Sequence, residues 1–320
     1  MQIAYLILAH NQPAQLERLI ERLNGLNAHF FVHIDKKSAD KAAIFSSLEK
    51  YANVQVVSDY DVNWMGFNMV LSTIGLMRLA VATGIDFKYF VLLSGQDYPI
   101  KGNQYINDFL GRHNEDFISF ARISDAADNF KNKVRYYHFY DFPYSNPRNS
   151  KKVPLLVYLY YGIHKRLMKY VPERKFYKNM HPFFGSQWFA LTGATVAYVL
   201  QFLDKNAGYL KFMKYTEGPD ETFFQTIILN SERRWNVYDY KKFEEWEKTR
   251  QPGEHFIQAY SSLRYMDWSD RGKNVPKPAT MDMAYFETLK DSTDLFARKF
   301  DENKSAALLN EIDNKLLNGK

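Results

Sequence analysis

The chain has 320 residues, of which 46% are hydrophobic and 17% aromatic, and a formal net charge of +6. This composition excludes intrinsic disorder and provides apolar side chains for a large core, in one elaborated domain or two small ones. Cysteine is absent, which excludes disulfides, thiolate metal sites and a cysteine nucleophile and favours a reducing compartment. The apolar start from Met1 to Ala9 lacks a basic leader and is too short to span a bilayer, so it predicts a buried first strand.

The first 120 residues alternate between apolar runs and helical periodicity. Strands are predicted at 3–9, 30–34, 54–57 and 89–93, and helices after Pro13 and at 70–81. This alternation predicts an α/β fold with a mainly parallel sheet flanked by helices. Ligands bind beyond the carboxyl ends of the strands in such sheets, so Asp35 and the turn from Ser94 to Asp97 lie where a ligand is expected. Both segments also suit plain turns, because Asp is a common turn former.

A basic and aromatic arm is predicted at 147–178. From Arg148 to Lys178, nine Lys and Arg residues face one acid, Glu173. Aromatic and aliphatic residues run into these cations, a composition that suits an interfacial helix and equally a solvated surface helix. In the first case the arm docks on an anionic membrane surface. The cations form no recognisable motif for reading bases, so a nucleic-acid partner is not expected.

An aromatic strand is predicted at 185–191, followed by helices at 195–203 and 219–229. The second helix opens with "GPDETFF", in which Gly218 suits an N-cap and Pro219 the first helical position. Asp220 and Glu221 then lie at the positive end of the helix dipole, which keeps Glu221 ionised. Acids are common in first helical turns, and an ionised carboxylate on a rigid element can also serve as a general base. The residues alone leave both roles open.

The sequence has no Walker A motif, no HExxH helix and no GxSxG elbow, so hydrolases of those classes are not expected. One DxD tripeptide is present, Asp59-Tyr60-Asp61. Paired carboxylates of this kind can hold Mg²⁺ against a nucleotide diphosphate. The tripeptide follows the third predicted strand, which is early for that role, and Asp is favoured in turns, so we interpret it as a turn.

Six motifs occur in the order seen in one enzyme family. They are "HIDKKS" (33–38), "SGQDYPI" (94–100), "GSQWFAL" (185–191), "PDETFFQTIIL" (219–229), "LRYMDW" (263–268) and "LFARKFD" (295–301). Together they resemble the Core-2/I-branching glycosyltransferases, which include the peptide xylosyltransferases, over nearly the whole chain. The resemblance implies a GT-A fold over 1–320 as a single elaborated domain, with a nucleotide-sugar-binding half at 1–120 and an acceptor and catalytic half at 180–301.

The resemblance also implies inverting transfer of a sugar from a UDP-sugar to a hydroxyl, without a cofactor or a metal ion. It assigns the catalytic base to Glu221. It assigns neutralisation of the diphosphate to Lys299, with Arg264 as a second cation. Either cation could instead be a solvated surface charge, although both lie in apolar sequence. Asp35 and Asp97 match the family's acids on the nucleotide and substrate sides.

Gln187, Trp188 and Asp220 are further predicted substrate-binding residues, and Trp188 is expected to pack either against a sugar or in the core. GlcNAc is the favoured donor sugar and xylose the alternative, because the motifs are shared by both branches. A catalytically inactive module that binds sugar or polyanions is the rival function.

Eukaryotic relatives are disulfide-bonded and membrane-anchored in the secretory lumen, whereas this sequence has no Cys and no anchor. We therefore expect a bacterial cytoplasmic enzyme of surface polysaccharide synthesis, peripheral on the inner face of the membrane. Its acceptor would be a glycan or a lipid-linked oligosaccharide.

Overall fold

The computed structural model describes residues 1–125, 128–141, 170–251, 254–269 and 277–317, with five isolated positions between 159 and 167. Most of the arm predicted at 147–178 lies outside the described residues. Within these ranges, no helix is long and apolar enough to cross a membrane. The strands are β1 (Gln2–Ala9), β2 (Ala28–Ile34), β3 (Val54–Val57), β4 (Phe87–Ser94), β5 (Asp97–Pro99), β6 (Phe117–Ile118), β7 (Ala121–Arg122), β8 (Phe183–Phe184), β9 (Phe189–Thr192), β10 (Arg264–Met266) and β11 (Phe296–Arg298). The α-helices are α1 (Pro13–Leu23), α2 (Lys41–Leu48), α3 (Asn68–Ala82), α4 (Asn103–Arg112), α5 (Asp128–Arg135), α6 (Gly193–Lys205), α7 (Ala207–Met213), α8 (Phe223–Leu229), α9 (Tyr240–Thr249), α10 (Phe286–Asp291) and α11 (Ala306–Ile312).

In the described part of the chain, the main sheet has six strands in the order β3-β2-β1-β4-β9-β6. Strands β1 to β4 are parallel, whereas β9 is antiparallel to both of its neighbours. Helices α1, α2 and α3 connect the successive parallel strands. This arrangement confirms the predicted α/β fold, with a mainly parallel sheet flanked by helices.

The chain order creates a switch point beside β1. From β1 the chain passes outwards to β2 and β3 and then returns to β4 on the other side of β1. The segments that follow β2 and β4 are both tied to the end of β1: Asp35 N–H donates to the Ala9 carbonyl at 2.9 Å, and Gly95 N–H donates to the Leu8 carbonyl at 3.0 Å. In open α/β sheets, ligands usually bind at such a switch point, beyond the carboxyl ends of the strands.

Two apolar clusters pack on opposite faces of the main sheet. Side chains alternate along a strand, so Tyr5 and Ile7 join the cluster under α1, α10 and α11, whereas Ala4 and Leu6 join the cluster under α3, α6 and α8. Burial on both faces explains why β1 is a continuous apolar run instead of an alternating one.

A small second sheet joins residues that are distant in sequence. Strand β11 pairs in parallel with β10 and antiparallel with β5, in a register that places Arg298 opposite Asp97. Each strand has only three residues, too few for a periodicity to be read in the sequence. This sheet connects the predicted halves 1–120 and 180–301, whose boundary stays a prediction.

Two predicted elements differ from the structure. The helix predicted at 219–229 is wrong at its start: Pro219–Glu221 form a 3-10 turn, and α8 begins only at Phe223. The break lies at Thr222, whose φ of −129° is not helical. The strand predicted at 185–191 is shorter than expected, since pairing in β9 begins at Phe189.

Candidate active site

The carboxyl edge of the main sheet brings together residues from several predicted motifs. Asp35 directly follows β2, and Asp97 is the first residue of β5, after the short turn that follows β4. Because β9 is antiparallel to β4, it begins at the edge where β4 ends, so Gln187 and Trp188 reach the same edge. Residues 33–38, 94–100 and 185–191 are therefore neighbours in space.

Asp97 lies entirely inside the protein. Its Oδ1 is 3.1 Å from Nη1 of Arg298, and its Oδ2 is 3.0 Å from Nη2 of Arg264. Oδ2 also accepts the backbone N–H of Ser94 at 2.8 Å. Both carboxylate oxygens are thus occupied within the protein, so any contribution of Asp97 to ligand binding would act through its partners.

Arg264 is buried with Asp97. Its Nη2 donates to the Leu92 carbonyl at 2.9 Å, and its Cζ lies 4.7 Å from the ring centroid of Trp188. Among the described residues, its Nε and Nη1 have no hydrogen-bond partner. Burial lowers the pKa of Arg264 to about 10, against the opposing effect of Asp97, so the guanidinium stays charged at neutral pH. The predicted second cation for the diphosphate therefore lies beneath the surface.

Arg298 is a site residue that the sequence prediction missed. It directly precedes Lys299, and 16% of its side chain is exposed beside the wholly buried Asp97. Its Cζ lies 4.8 Å from the ring centroid of Trp188, which is itself buried. Of the two expected positions for Trp188, the structure shows the core. The sequence signal for Arg298 was its place in "LFARKFD", next to the residue that was predicted.

Lys299 and His10 both lie close to Arg298. Burial and the neighbouring Arg298 lower the pKa of Lys299, and Asp301 opposes them. His10 directly follows β1 and was not predicted as a site residue. Desolvation lowers the pKa of His10, against the effect of Asp35, and the charges of Lys299 and Arg298 lower it further. These interactions place β1, β2 and the end of β11 around one region of the carboxyl edge.

Asp35 holds the loop that contains the DxD tripeptide. Its Oδ1 accepts the backbone N–H groups of Lys37 and Val62, both at 3.1 Å. In the tripeptide, Asp59 and Asp61 are exposed in the connection between β3 and α3. Over the described ranges, no group of three or more His, Asp or Glu side chains is arranged to hold a metal ion.

The Glu221 carboxylate is paired with a cation. Its Oε2 lies 2.7 Å from Nζ of Lys133 on α5, and 38% of the Glu221 side chain is exposed. The sequence predicted Glu221 in the first turn of an α-helix, but it lies in the 3-10 turn ahead of α8 and has Lys133 as a direct partner. Lys133 was missed because it lies 88 residues away in sequence.

Two glycines fix the backbone around Glu221. Gly218 has φ 57°, which glycine adopts without strain, and its N–H donates to the Met65 carbonyl at 3.1 Å. Gly185 N–H donates to the Glu221 carbonyl at 2.8 Å. A Cβ on Gly185 would lie 1.9 Å from the Ser119 carbonyl oxygen, so only glycine fits there. "GSQW" and "GPDE" are therefore joined by a direct backbone contact.

Two other predicted substrate-binding residues have buried polar atoms without a partner in the described structure, Asp220 Oδ1 and Gln187 Nε2. Burial, together with the Glu221 carboxylate, raises the pKa of Asp220 to about 7. Unpartnered buried polar groups cost free energy, and active sites are one place where they are tolerated. Substrate binding by these two residues stays a prediction.

The described end of the basic arm is fastened to the protein by Arg174. This guanidinium donates to the carbonyls of Tyr136 at 3.0 Å, Tyr215 at 2.8 Å and Phe212. Burial lowers the pKa of Arg174 to about 10. One of the nine cations of the arm is thus an internal anchor.

The protein thus has an α/β fold, and at the carboxyl edge of its main sheet Arg264 and Arg298 share the buried carboxylate of Asp97. Lys299 lies beside them. The family model described as Core-2/I-Branching enzyme matches residues 3–291. The chain therefore belongs to the Core-2/I-branching enzyme family, which is a family of glycosyltransferases.

Similar proteins include two curated relatives from Rattus norvegicus. Xylosyltransferase 1 is 25% identical over 326 residues, which covers 99% of this chain and 35% of the relative. Xylosyltransferase 2 is 26% identical over 323 residues, which covers 98% of this chain and 33% of the relative. The chain thus spans about one third of the length of these relatives.

Two solved structures are also similar to this chain. The galactosyltransferase LgtC, in complex with donor and acceptor sugar analogs, has a TM-score of 0.39 and 9% identity, and covers 98% of this chain and 96% of its own. S. aureus TarS 1–349 in complex with UDP-GlcNAc has a TM-score of 0.29 and 12% identity, and covers 37% of this chain and 34% of its own.

Proposed function

We propose that this chain transfers a sugar from a UDP-sugar to a hydroxyl of a glycan acceptor, with inversion and without a metal ion, in surface polysaccharide synthesis. The observation that carries the proposal is a group of three cations at the carboxyl edge of the main sheet, Arg264, Arg298 and Lys299, which we call the cationic edge. Arg264 and Arg298 both form ion pairs with Asp97, the carboxylate of Asp294 also acts on Arg264, and Lys299 follows Arg298 directly. Fixed cations at the carboxyl edge of an α/β sheet suit a diphosphate, which carries growing negative charge as it leaves.

Glu221 is proposed as the base. In a single displacement, its carboxylate takes the proton of the acceptor hydroxyl while that oxygen bonds to the anomeric carbon. The bond between this carbon and the diphosphate oxygen breaks, and UDP leaves with the electron pair. Because the hydroxyl attacks the face opposite the leaving group, the anomeric configuration inverts. Partial exposure of Glu221 suits a carboxylate that an acceptor hydroxyl must reach, and its contact with Lys133 holds one carboxylate oxygen in place.

Neutralisation of the diphosphate is proposed to rest on Lys299 and Arg298, in place of a divalent cation. Arg298 supplies a planar donor and Lys299 a point charge, the two kinds of side chain that bind phosphate oxygens. The DxD tripeptide lies in an irregular loop between β3 and α3, and Asp35 ties the end of this loop to β2.

GlcNAc is proposed as the donor sugar, and xylose is the competing donor because the curated relatives are named xylosyltransferases. A thermal-shift panel of UDP, UDP-GlcNAc, UDP-xylose and UDP-glucose tests this, because a bound ligand stabilises the native state by mass action. We expect a shift with UDP and the largest shift with UDP-GlcNAc. A largest shift with UDP-xylose would reassign the donor, and no shift with any of the four contradicts UDP-sugar binding.

The acceptor is proposed to be a glycan or a lipid-linked oligosaccharide, reached at an anionic membrane surface through the arm at 147–178. The charge of the arm supports this, with nine cations against one acid from Arg148 to Lys178. Arg174 is excluded from this role by its internal contacts, which leaves eight cations.

A further inference from the structure

A buried carboxylate lies behind the cationic edge. Asp97 has no exposed surface, and its oxygens are divided between Arg298 on Oδ1 and Arg264 on Oδ2. The pairing of β5 with β11 sets Arg298 directly opposite Asp97, so the contact between the two side chains is built into the strand register.

Trp188 holds Arg298 from a second side. The guanidinium carbons of Arg264 and Arg298 lie 4.7 Å and 4.8 Å from the centroid of the indole ring. Arg298 is therefore fixed by a carboxylate and by an aromatic ring, while part of its side chain remains exposed. A cation held in this way is preorganised, so it need not be reoriented when a negative charge develops in front of it.

We propose that Asp97 is a positioning residue, which fixes the exposed part of the Arg298 guanidinium for the diphosphate of the donor without touching the nucleotide itself. The role of Arg264 follows from this. As a second and buried partner of Asp97, it binds the other carboxylate oxygen and so holds Asp97 in the orientation that meets Arg298. This inference rests on the proposed function, because it requires a UDP-sugar as the donor.

The test compares two ligands that differ only in phosphate, UDP and uridine, in the full chain. Asp97→Asn keeps the side-chain shape and removes the charge. Loss of a positioned charge-assisted hydrogen bond should weaken UDP binding by about tenfold or more. Uridine binding, followed by ligand-observed NMR, should be unchanged. A purely structural role of Asp97 would weaken both ligands to the same extent, and that result overturns the proposal.

A matched control is Asp313→Asn. Asp313 is also a buried carboxylate with two arginine partners, Arg18 and Arg22, but it shares no partner with Asp97. The control should lower the melting temperature and leave the ratio of UDP to uridine affinity unchanged. A changed ratio in this control would show that general loosening of the fold produces the effect, which overturns the assignment to Asp97.

A double-mutant cycle with Arg298→Met isolates the coupling. If Asp97 acts through Arg298, Asp97→Asn should have no further effect on UDP affinity once Arg298 is replaced, whereas additive losses contradict the proposal. Wild-type protein that binds no UDP overturns the proposed function and this inference together. Wild-type protein that binds UDP, beside an Asp97→Asn variant with unchanged UDP affinity, overturns this inference alone.

Arg298→Lys keeps the test decisive if Asp97→Asn does not fold. This variant retains the positive charge, but an ammonium group cannot keep both the stacking on Trp188 and the planar contact with Asp97. We expect its UDP affinity to fall nearly as far as that of Arg298→Met, with uridine binding unchanged. A UDP affinity equal to that of the wild type would show that charge without positioning is sufficient, and the proposal would be wrong.

Discussion

The ammonium of Lys133 lies 2.7 Å from Oε2 of Glu221, across 88 residues of sequence. Lys133 is carried by α5, and Glu221 by the 3-10 turn ahead of α8. Only 14% of the Lys133 side chain is exposed, against 38% for Glu221. The cation therefore holds one carboxylate oxygen and leaves the carboxylate partly exposed, which suits the role of base that is proposed for Glu221.

Lys133→Met should lower turnover without weakening UDP binding. The variant loses the contact that orients the Glu221 carboxylate, and we expect a fall in kcat of about tenfold, the scale of one charge-assisted hydrogen bond. Lys133→Arg, which keeps a cationic donor, should recover most of the activity. Steady-state kinetics with parallel UDP titrations check this. Equal losses in UDP affinity and kcat, or no recovery with arginine, would show that Lys133 does not act through the base.

Lys299→Ala should lower turnover and weaken UDP binding together. Removal of a preorganised charge partner of a transition state typically costs about 3 to 4 kcal/mol, so a decrease of roughly 10²–10³-fold in kcat is expected. Transfer by the wild type should survive excess EDTA. If EDTA abolishes transfer and Mn²⁺ restores it, the metal-independent mechanism is wrong, and Asp59-Tyr60-Asp61 becomes the candidate metal site.

Asp220 should make stability depend on pH. Its pKa in the folded state is raised from 3.8 to about 7, so between these values the folded state binds a proton that the unfolded state has released. Its contribution to stability is therefore complete below about pH 4 and is lost as the pH rises to about 7.

Asp220→Asn tests this, because the amide is neutral throughout. Relative to this variant, the wild type should lose stability between pH 5 and pH 8. Urea denaturation of both proteins at the two pH values measures the difference. A difference in the free energy of unfolding that does not change with pH would show that Asp220 is ionised at pH 5 in the folded state.

The basic arm should bind anionic vesicles. Each cation near such a surface contributes about 1 kcal/mol, so several together suffice for reversible binding. Co-sedimentation with vesicles that contain phosphatidylserine should exceed that with neutral vesicles and should decrease with added salt. Lys151→Glu combined with Lys152→Glu should reduce binding, whereas Lys315→Glu, outside the arm, serves as the control. Equal binding to both vesicle types, or none to either, would exclude membrane docking.

The sequence predicts the parallel half of the fold well because its signal is local. The apolar runs at 54–57 and 89–93 lie within β3 and β4, and the helix predicted after Pro13 begins at that residue in α1. The same local logic located Asp35 and Asp97 at strand ends. The second sheet escaped prediction because three-residue strands have no period, and they pair residues as far apart as Asp97 and Arg298, 201 positions in sequence.

The residues that the sequence predicts for the site each lie within one motif, whereas contacts between two distant segments were not predicted. Glu221 and Lys299 lie within motifs, whereas Lys133 and His10 gain their place only through folding. Arg298 adjoins a predicted residue, but its contact with Asp97 depends on the pairing of β5 with β11. The exposure of a charged side chain is also a property of the fold. Arg264 was expected to contact the diphosphate and instead lies beneath the surface, between Asp97 and Trp188.

UDP release from UDP-sugars by the wild type and by Glu221→Gln, with EDTA present and UDP affinity measured in parallel, tests whether Glu221 is the base of a metal-independent transfer. The wild type should release UDP from UDP-GlcNAc or UDP-xylose. Glu221→Gln should bind UDP as well as the wild type and release it at least about 10²-fold more slowly, as expected for loss of a general base. UDP release by Glu221→Gln at the wild-type rate, with UDP affinity unchanged, would contradict the assignment of the base and with it the proposed mechanism.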